Sequence, residues 1–170
     1  MFGDALNKDS FAAQIAPADT FIQLVGVARP SPSKAKQFRA IDLESVRASV
    51  AASVEARIQH FIYVSVAHPA PTMKAYIEVR MEGEALLKTS GLNVSILRPW
   101  YVLGPGHRWP YALIPIYWFC ELFPSTRQSA RRLGLVTLSQ MLAALVNAVE
   151  HTPAGIRVVE VPEIRTQDRK

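Results

Sequence analysis

The 170 residues hold one cysteine, Cys120. No internal disulfide and no paired-cysteine zinc site can form, and a reducing, cytoplasmic compartment fits. Cys120 lies inside an apolar aromatic run, where packing suits it better than nucleophilic attack. The histidines, His60, His68, His107 and His151, lack metal-ligand spacing. Glycine is sparse, with eight residues, and Gly-x-x-Gly-x-x-Gly occurs nowhere. The one Gly-x-Gly, Gly104-Pro105-Gly106, runs into His107, Arg108 and Trp109 rather than a third glycine and a helix, which argues against a phosphate cradle there. No hydrophobic run is long enough to span a bilayer. The longest, Trp109 to Phe123, is interrupted by Pro110, Pro115 and Glu121 and falls short of the ~20 residues needed. The opening MFGDALNKDS has no basic segment followed by an apolar core, so no signal peptide is read there.

What is present is a core. At 49% hydrophobic and 19% charged, the chain is long and apolar enough for one domain and unlike a disordered segment. The formal net charge is +5. Such a balance suits a solvated basic surface, nucleic acid, a membrane surface or an anionic cofactor. The basic residues are scattered, with small clusters at Arg127, Arg131, Arg132 and at Arg165, Arg169, Lys170. Neither has the density of a nucleic-acid-binding arm, and no nucleic-acid partner is expected.

Short β-branched or aromatic runs alternate with longer helical ones. Strands are expected at Thr20 to Val27 (TFIQLVGV), His60 to Val66 (HFIYVSV), Asn93 to Leu97 (NVSIL) and Arg157 to Val161 (RVVEV). Helices are expected over Leu43 to Arg57, with Asp42 as N-cap and Val46, Val50 and Val54 on one stripe, over Lys74 to Thr89, stopped by Gly91, and over Thr137 to Glu150, with a Thr or Ser cap. Strands apolar on both faces and separated by helices predict an α/β fold with a parallel sheet and flanking helices. Ligands of such open sheets bind beyond the carboxyl ends of the strands. The positions to inspect are therefore Gly26 and Val27, Ser65 to His68, and Arg98 to Gly104.

Ser65 closes the second strand. Tyr76 and Arg80, four residues apart on the next helix, share a face directed at that strand end. A cation beside a phenol favours the phenolate, and a serine hydroxyl can bind a substrate oxygen. These are parts for proton transfer at an alcohol or carbonyl. Plainer readings stand beside this one. Tyr76 and Arg80 also suit a helix-surface pair, Ser65 a satisfied strand end, and Arg98 a structural grip on a carboxylate.

The order YVSVA (Tyr63 to Ala67), Tyr76-x-x-x-Arg80, EGEALLKTSGLNVSILRP (Glu82 to Pro99) and WYVLGPG (Trp100 to Gly106) resembles the extended and atypical short-chain dehydrogenases/reductases. The nearest flavour is the NmrA-like NAD(P)H-binding subgroup, with relatives of the accessory NAD(P)H-binding subunit of respiratory complex I. The resemblance runs from about Phe2 to about Val161. It implies a Rossmann-like domain binding NAD or NADP and an unknown small molecule. Ser65, Tyr76 and Arg80 would be catalytic. Gly26, Val27, Ser65, Tyr76, Arg80, Pro99 and Val102 would line the cofactor, with Gly26 near the adenosine ribose and Pro99 and Val102 beside the nicotinamide.

Two departures qualify it. Arg80 stands where the family has lysine, and a guanidinium can bind ribose hydroxyls but not relay a proton. The glycine-rich finger that grips the pyrophosphate has no counterpart, and FGDAL resembles the end of the family's third strand. The expectation is a single partial domain over residues 1–170, missing the first βαβ unit, with residues 100–135 as a substrate-side loop and helix segment. Cofactor binding would be impaired, and an exposed sheet edge would invite self-association. Two functional readings are open: an NAD(P)-dependent oxidoreductase or epimerase, or a non-catalytic NAD(P)-sensing or scaffold module. The aromatic segment reads as a substrate-side lid. Its sharper alternative is a membrane-touching helix over 109–132, which would make the protein peripheral to the inner membrane.

Overall fold

The structure is a computed structural model and describes residues 2–104 and 112–167. Pro105 to Pro110, Arg169 and Lys170, which figure in the sequence-based expectations, lie outside the described residues.

Four strands, β1 (Thr20–Gln23), β2 (His60–Val64), β3 (Asn93–Arg98) and β6 (Ile156–Glu160), form one sheet in the order β1-β2-β3-β6. Every pairing in it is parallel, with Thr20 opposite His60, His60 opposite Asn93 and Val94 opposite Ile156. A second pair, β4 (Tyr101–Leu103) and β5 (Leu135–Thr137), is also parallel.

Side-chain alternation sorts the sheet into two cores. Phe61, Tyr63, Val94 and Ile96 pack with Val46 and Leu87 on one face. There lie α3 (Glu44–Glu55) and α4 (Lys74–Lys88). Ile62, Leu97 and Val159 pack on the other against Met141, Ala144 and Ala148 of α7 (Leu138–Glu150), with Val161 and Ile164 of α8 (Val161–Thr166). The remaining helices are α1 (Ala12–Ile15), α2 (Ala35–Gln37), and the adjoining α5 (Ile114–Leu122) and α6 (Pro124–Arg132). The fold is thus the expected α/β arrangement, a Rossmann-like parallel sheet with helices on both sides.

Several boundaries move for physical reasons. The first strand stops at Gln23, where its pairing with β2 ends, and Leu24 is 61% exposed. The last strand stops at Glu160, because Val161 and Pro162 open α8 and proline fits a first helical turn. Val54 is exposed and falls off the buried stripe begun by Val46.

Asp42 is not an N-cap. It lies within a helical path that begins at Ala35 and widens into a π-helical turn over Phe38–Leu43 before α3. The extra residue in that turn aims Asp42 inward, where it is fully buried. Gly91 has φ +78 just beyond the α4 cap, Thr89. Thr137 caps α7 in a box with Gln140, each side-chain oxygen accepting a hydrogen bond from the other's backbone amide.

Candidate functional site

Two polar clusters sit side by side at the carboxyl end of β2, both anchored by one stripe of α4. Tyr76, Arg80 and Glu84 recur every four residues and so face the same way.

The first cluster centres on Arg80, which is buried. Its Nη2 donates to Asp42 Oδ1 at 2.7 Å and its Nη1 to the carbonyl of Val64 at 3.1 Å. The Val27 amide donates to Asp42 Oδ2 at 3.0 Å. The guanidinium carbon lies 5.1 Å from the Tyr76 ring centroid and 5.8 Å from that of Tyr63. Burying a charge is unfavourable unless it is paired and hydrogen-bonded, and two aromatic faces add attraction. Arg80 therefore ties together the loop after β1, the π turn and the end of β2. Gly26 permits this, since a Cβ there would collide with Arg80 Nη2 and lie 3.1 Å from Asp42 Oδ1.

The phenols behave oppositely to the sequence-based expectation. Burial pushes Tyr76 above its ordinary value, and the Arg80 charge only partly offsets that. Burial pushes Tyr63 up to about 12, again against Arg80. Both are neutral at physiological pH, so Tyr76 is a proton donor rather than a standing phenolate.

The second cluster centres on Glu84, which is also buried. Its Oε1 accepts from Ser65 Oγ at 2.7 Å and from Arg98 Nε at 2.9 Å, and Arg98 Nη2 grips Oε2. Arg98 Nη1 then donates to Glu160 Oε1 at 2.8 Å. His68 Nε2 lies 3.5 Å from Glu84 Oε1. Burial raises the Glu84 carboxyl, but the Arg98 and Ser65 hydrogen bonds outweigh it and hold it below the ordinary 4.5. Arg98 is the structural carboxylate holder that one reading of the sequence allowed.

Of the expected site residues, Gly26, Val27, Tyr76 and Arg80 gather around Asp42. Ser65 belongs to the neighbouring cluster, its proton directed at Glu84. Pro99 is buried, its carbonyl accepting from the Ala67 amide at 2.9 Å. Val102 packs against the core under α7. Beyond it, Leu103, Tyr117, Trp118 and Arg165 line a cavity of about 300 Å³. Asp42, Tyr63, Glu84 and Glu160 were not foreseen as site residues. The four-residue stripe from Tyr76 to Glu84 was the available signal for Glu84.

A nicotinamide dinucleotide must be held at both ends. Gly26 lies beneath the Arg80 guanidinium, Tyr76 stands beside that cation, and Pro99 is buried just past β3. No Gly-x-x-Gly-x-x-Gly turn is present in the chain to hold a pyrophosphate. Arg80 spends both terminal nitrogens internally, leaving Nε as its one donor without a partner among the described residues. The residues present do not fit the pyrophosphate end of such a group.

Comparison with solved structures agrees with this topology. The fold is that of nicotinamide-dependent sugar epimerases and dehydrogenases. UDP-N-acetylglucosamine 4-epimerase from Bacillus cereus superposes with a TM-score of 0.64 at 13% identity, over 94% of this chain and 64% of that one. UDP-glucuronic acid 4-epimerase from Bacillus cereus, in complex with NAD, gives 0.64 at 18%, over 92% and 58%. RMD from Pseudomonas aeruginosa, complexed with NADPH, gives 0.63 at 17%, over 94% and 67%. The chain spans less than two thirds of the first two neighbours' length. No protein-family model matches the chain, and no curated protein does.

Proposed function

We propose that this chain carries the proton-transfer half of an NAD(P)-dependent oxidoreductase or epimerase site of the atypical short-chain type, with weakened hold on the dinucleotide. The supporting observation is Tyr76, a neutral phenol in the first turn of α4, beside a permanent cation at the carboxyl end of a parallel sheet. A bound dinucleotide would supply the hydride exchange. Tyr76 would give its proton to a substrate oxygen, and the Arg80 charge would steady the phenolate that remains. Ser65 would keep an acceptor lone pair toward the substrate while its proton stays on Glu84. Titration of the chain with NADH or NADPH, followed by nicotinamide fluorescence, is expected to give weak binding; a micromolar dissociation constant would contradict the weakened hold. Turnover of sugar nucleotides and simple alcohols, followed by nicotinamide absorbance, is expected to vanish in Tyr76→Phe while dinucleotide binding persists.

A second reading is a non-catalytic dinucleotide-sensing or scaffold module. What favours it is that Ser65 and Arg80 already satisfy internal partners, Glu84 and Asp42. Under it the protein has no turnover, and Tyr76→Phe leaves dinucleotide binding unchanged.

A further inference from the structure

We propose that α7 carries a self-association seam through which two copies of this chain pair side by side, independently of any dinucleotide. Helix α7 lies over β2 and β3 and sets Met141, Ala144 and Ala148 on the sheet. The Gln140 side-chain amide donates to the Arg165 carbonyl, which marks the side of α7 that faces α8. At about 100° per residue, Leu138, Leu142, Val146 and Val149 fall on the opposite flank. They are 41–55% exposed. Beside that flank runs β1, the edge strand. Ile22 pairs with Ile62 and so points to the α7 side of the sheet, yet Ile22 and Leu24 are exposed. Wall and floor make one apolar corner, unfilled among the described residues.

Spacing and charge select a second copy as its occupant. Leu138, Leu142, Leu145 and Val149 are separated by four, three and four residues. That is the d-a-d-a order of a coiled-coil seam, which a like helix completes. Leu145 already packs against the core, so the seam runs from the core edge outward. The chain's net charge of +5 opposes contact between copies over most of the surface. Helix α7 has no basic residue, and its one charge is Glu150 at the last position. Two such flanks meet without burying an unpaired charge.

The sheet fixes the direction of the pair. Packed helices lie about 8–10 Å apart. The β1 strand lies about one and a half strand spacings, ~7 Å, to the side of the α7 axis, which exceeds half that separation. An antiparallel two-fold pair would bring both sheets into one plane and drive each β1 into the other. A parallel pair, with the two-fold axis running along the helices, puts the second sheet on the opposite side of the helix layer. Each α7 then lies over the other copy's β1, and Val146, which sits off the seam, meets that copy's Ile22 and Leu24. Both corners are covered at once. A standard interface uses about 20–30 residues a side. This apolar patch is smaller, so the dimer is weak and reversible, with a dissociation constant on the order of 10 μM.

The test is sedimentation equilibrium of the whole chain between about 1 and about 200 μM, where a shift from monomer to dimer is expected. Leu142→Arg sets two guanidinium groups against each other across the axis and is expected to weaken the dimer roughly tenfold or more. Trp118→Ser, on the exposed face of α5, is expected to leave it unchanged. Should Leu142→Arg fail to fold, cross-linking decides. In a Cys120→Ser background, Val149→Cys is expected to give a disulfide-linked dimer on copper-catalysed air oxidation, because a parallel seam brings the two copies' residue 149 together. A monomer across the whole range, an unaffected dimer in Leu142→Arg, equal weakening by Trp118→Ser, or no covalent dimer from Val149→Cys would each overturn the proposal.

Discussion

Arg80 and Asp42, 38 residues apart in sequence, meet at 2.7 Å in the interior, with the aspartate fully buried and Arg80 nearly so. The pair holds the β1 loop through the Val27 amide and the end of β2 through the Val64 carbonyl. Removing one partner leaves the other charge buried and uncompensated. Asp42→Ala is expected to lower unfolding free energy by roughly 3–5 kcal/mol, measured by urea denaturation. A loss below about 1 kcal/mol would mean that water reaches the pair.

Gly26 is small because the guanidinium passes over it. Gly26→Ala forces Arg80 or the loop to move, and is expected to cost about 1–3 kcal/mol. Among the described residues Gly104→Ala meets Leu138, at 3.6 Å, and is expected to be close to neutral by comparison. Equal thermal shifts in the two variants would refute the close approach.

The acid side of the stability profile is expected to fall in two stages. Burial lowers His60 from 6.5, so the folded state favours the neutral ring. That contribution is present above pH 6.5 and is lost as pH falls through the depressed folded value. Glu84 is held below 4.5, so its contribution is present above pH 4.5 and is lost at still lower pH. Asp42 opposes the second stage, because burial raises it from 3.8 and its contribution grows toward acid. Glu84→Gln should flatten the lower stage and leave the upper one. An unchanged profile below pH 4.5 would remove Glu84 from the account.

The two buried phenols should be late to ionise. In an ultraviolet titration Tyr63 and Tyr76 are expected to ionise above the ordinary value of 10, Tyr63 near about 12. Tyr63→Phe should delete the last component. An early component assigned to Tyr76 through Tyr76→Phe would restore the standing-phenolate expectation.

The parallel sheet was legible because β2 is apolar at all but His60 and β3 carries Val94, Ile96 and Leu97 on both of its faces, which suits a doubly covered strand. The α7 cap was legible because Thr137 and Gln140 have the spacing of a reciprocal cap. Asp42 was not, since an aspartate before an apolar helix has the same local pattern whether it caps or is turned inward by a wide turn. Ser65 and Arg80 were read as converging on the end of β2, and both lie there, but their partners, Glu84 and Asp42, were hidden. Glu84, which holds Ser65, sits in a Glu-Gly-Glu run that looks solvated, and Glu160, which holds Arg98, sits in a strand that looks merely short. Both partners come from distant elements, and nothing in the local pattern registers a contact between them. The β4–β5 pair escaped notice because three-residue strands are too short to establish a period.

The turn over Phe38–Leu43 makes the chain's length, as well as its letters, part of the Asp42 contact. Dropping one residue there would restore regular helical phase and swing α2 by about 100° relative to α3. Asp42 would then have to leave Arg80, or α3 would have to unscrew from the sheet. A one-residue deletion within this stretch should thus do more damage than most substitutions along the same helix.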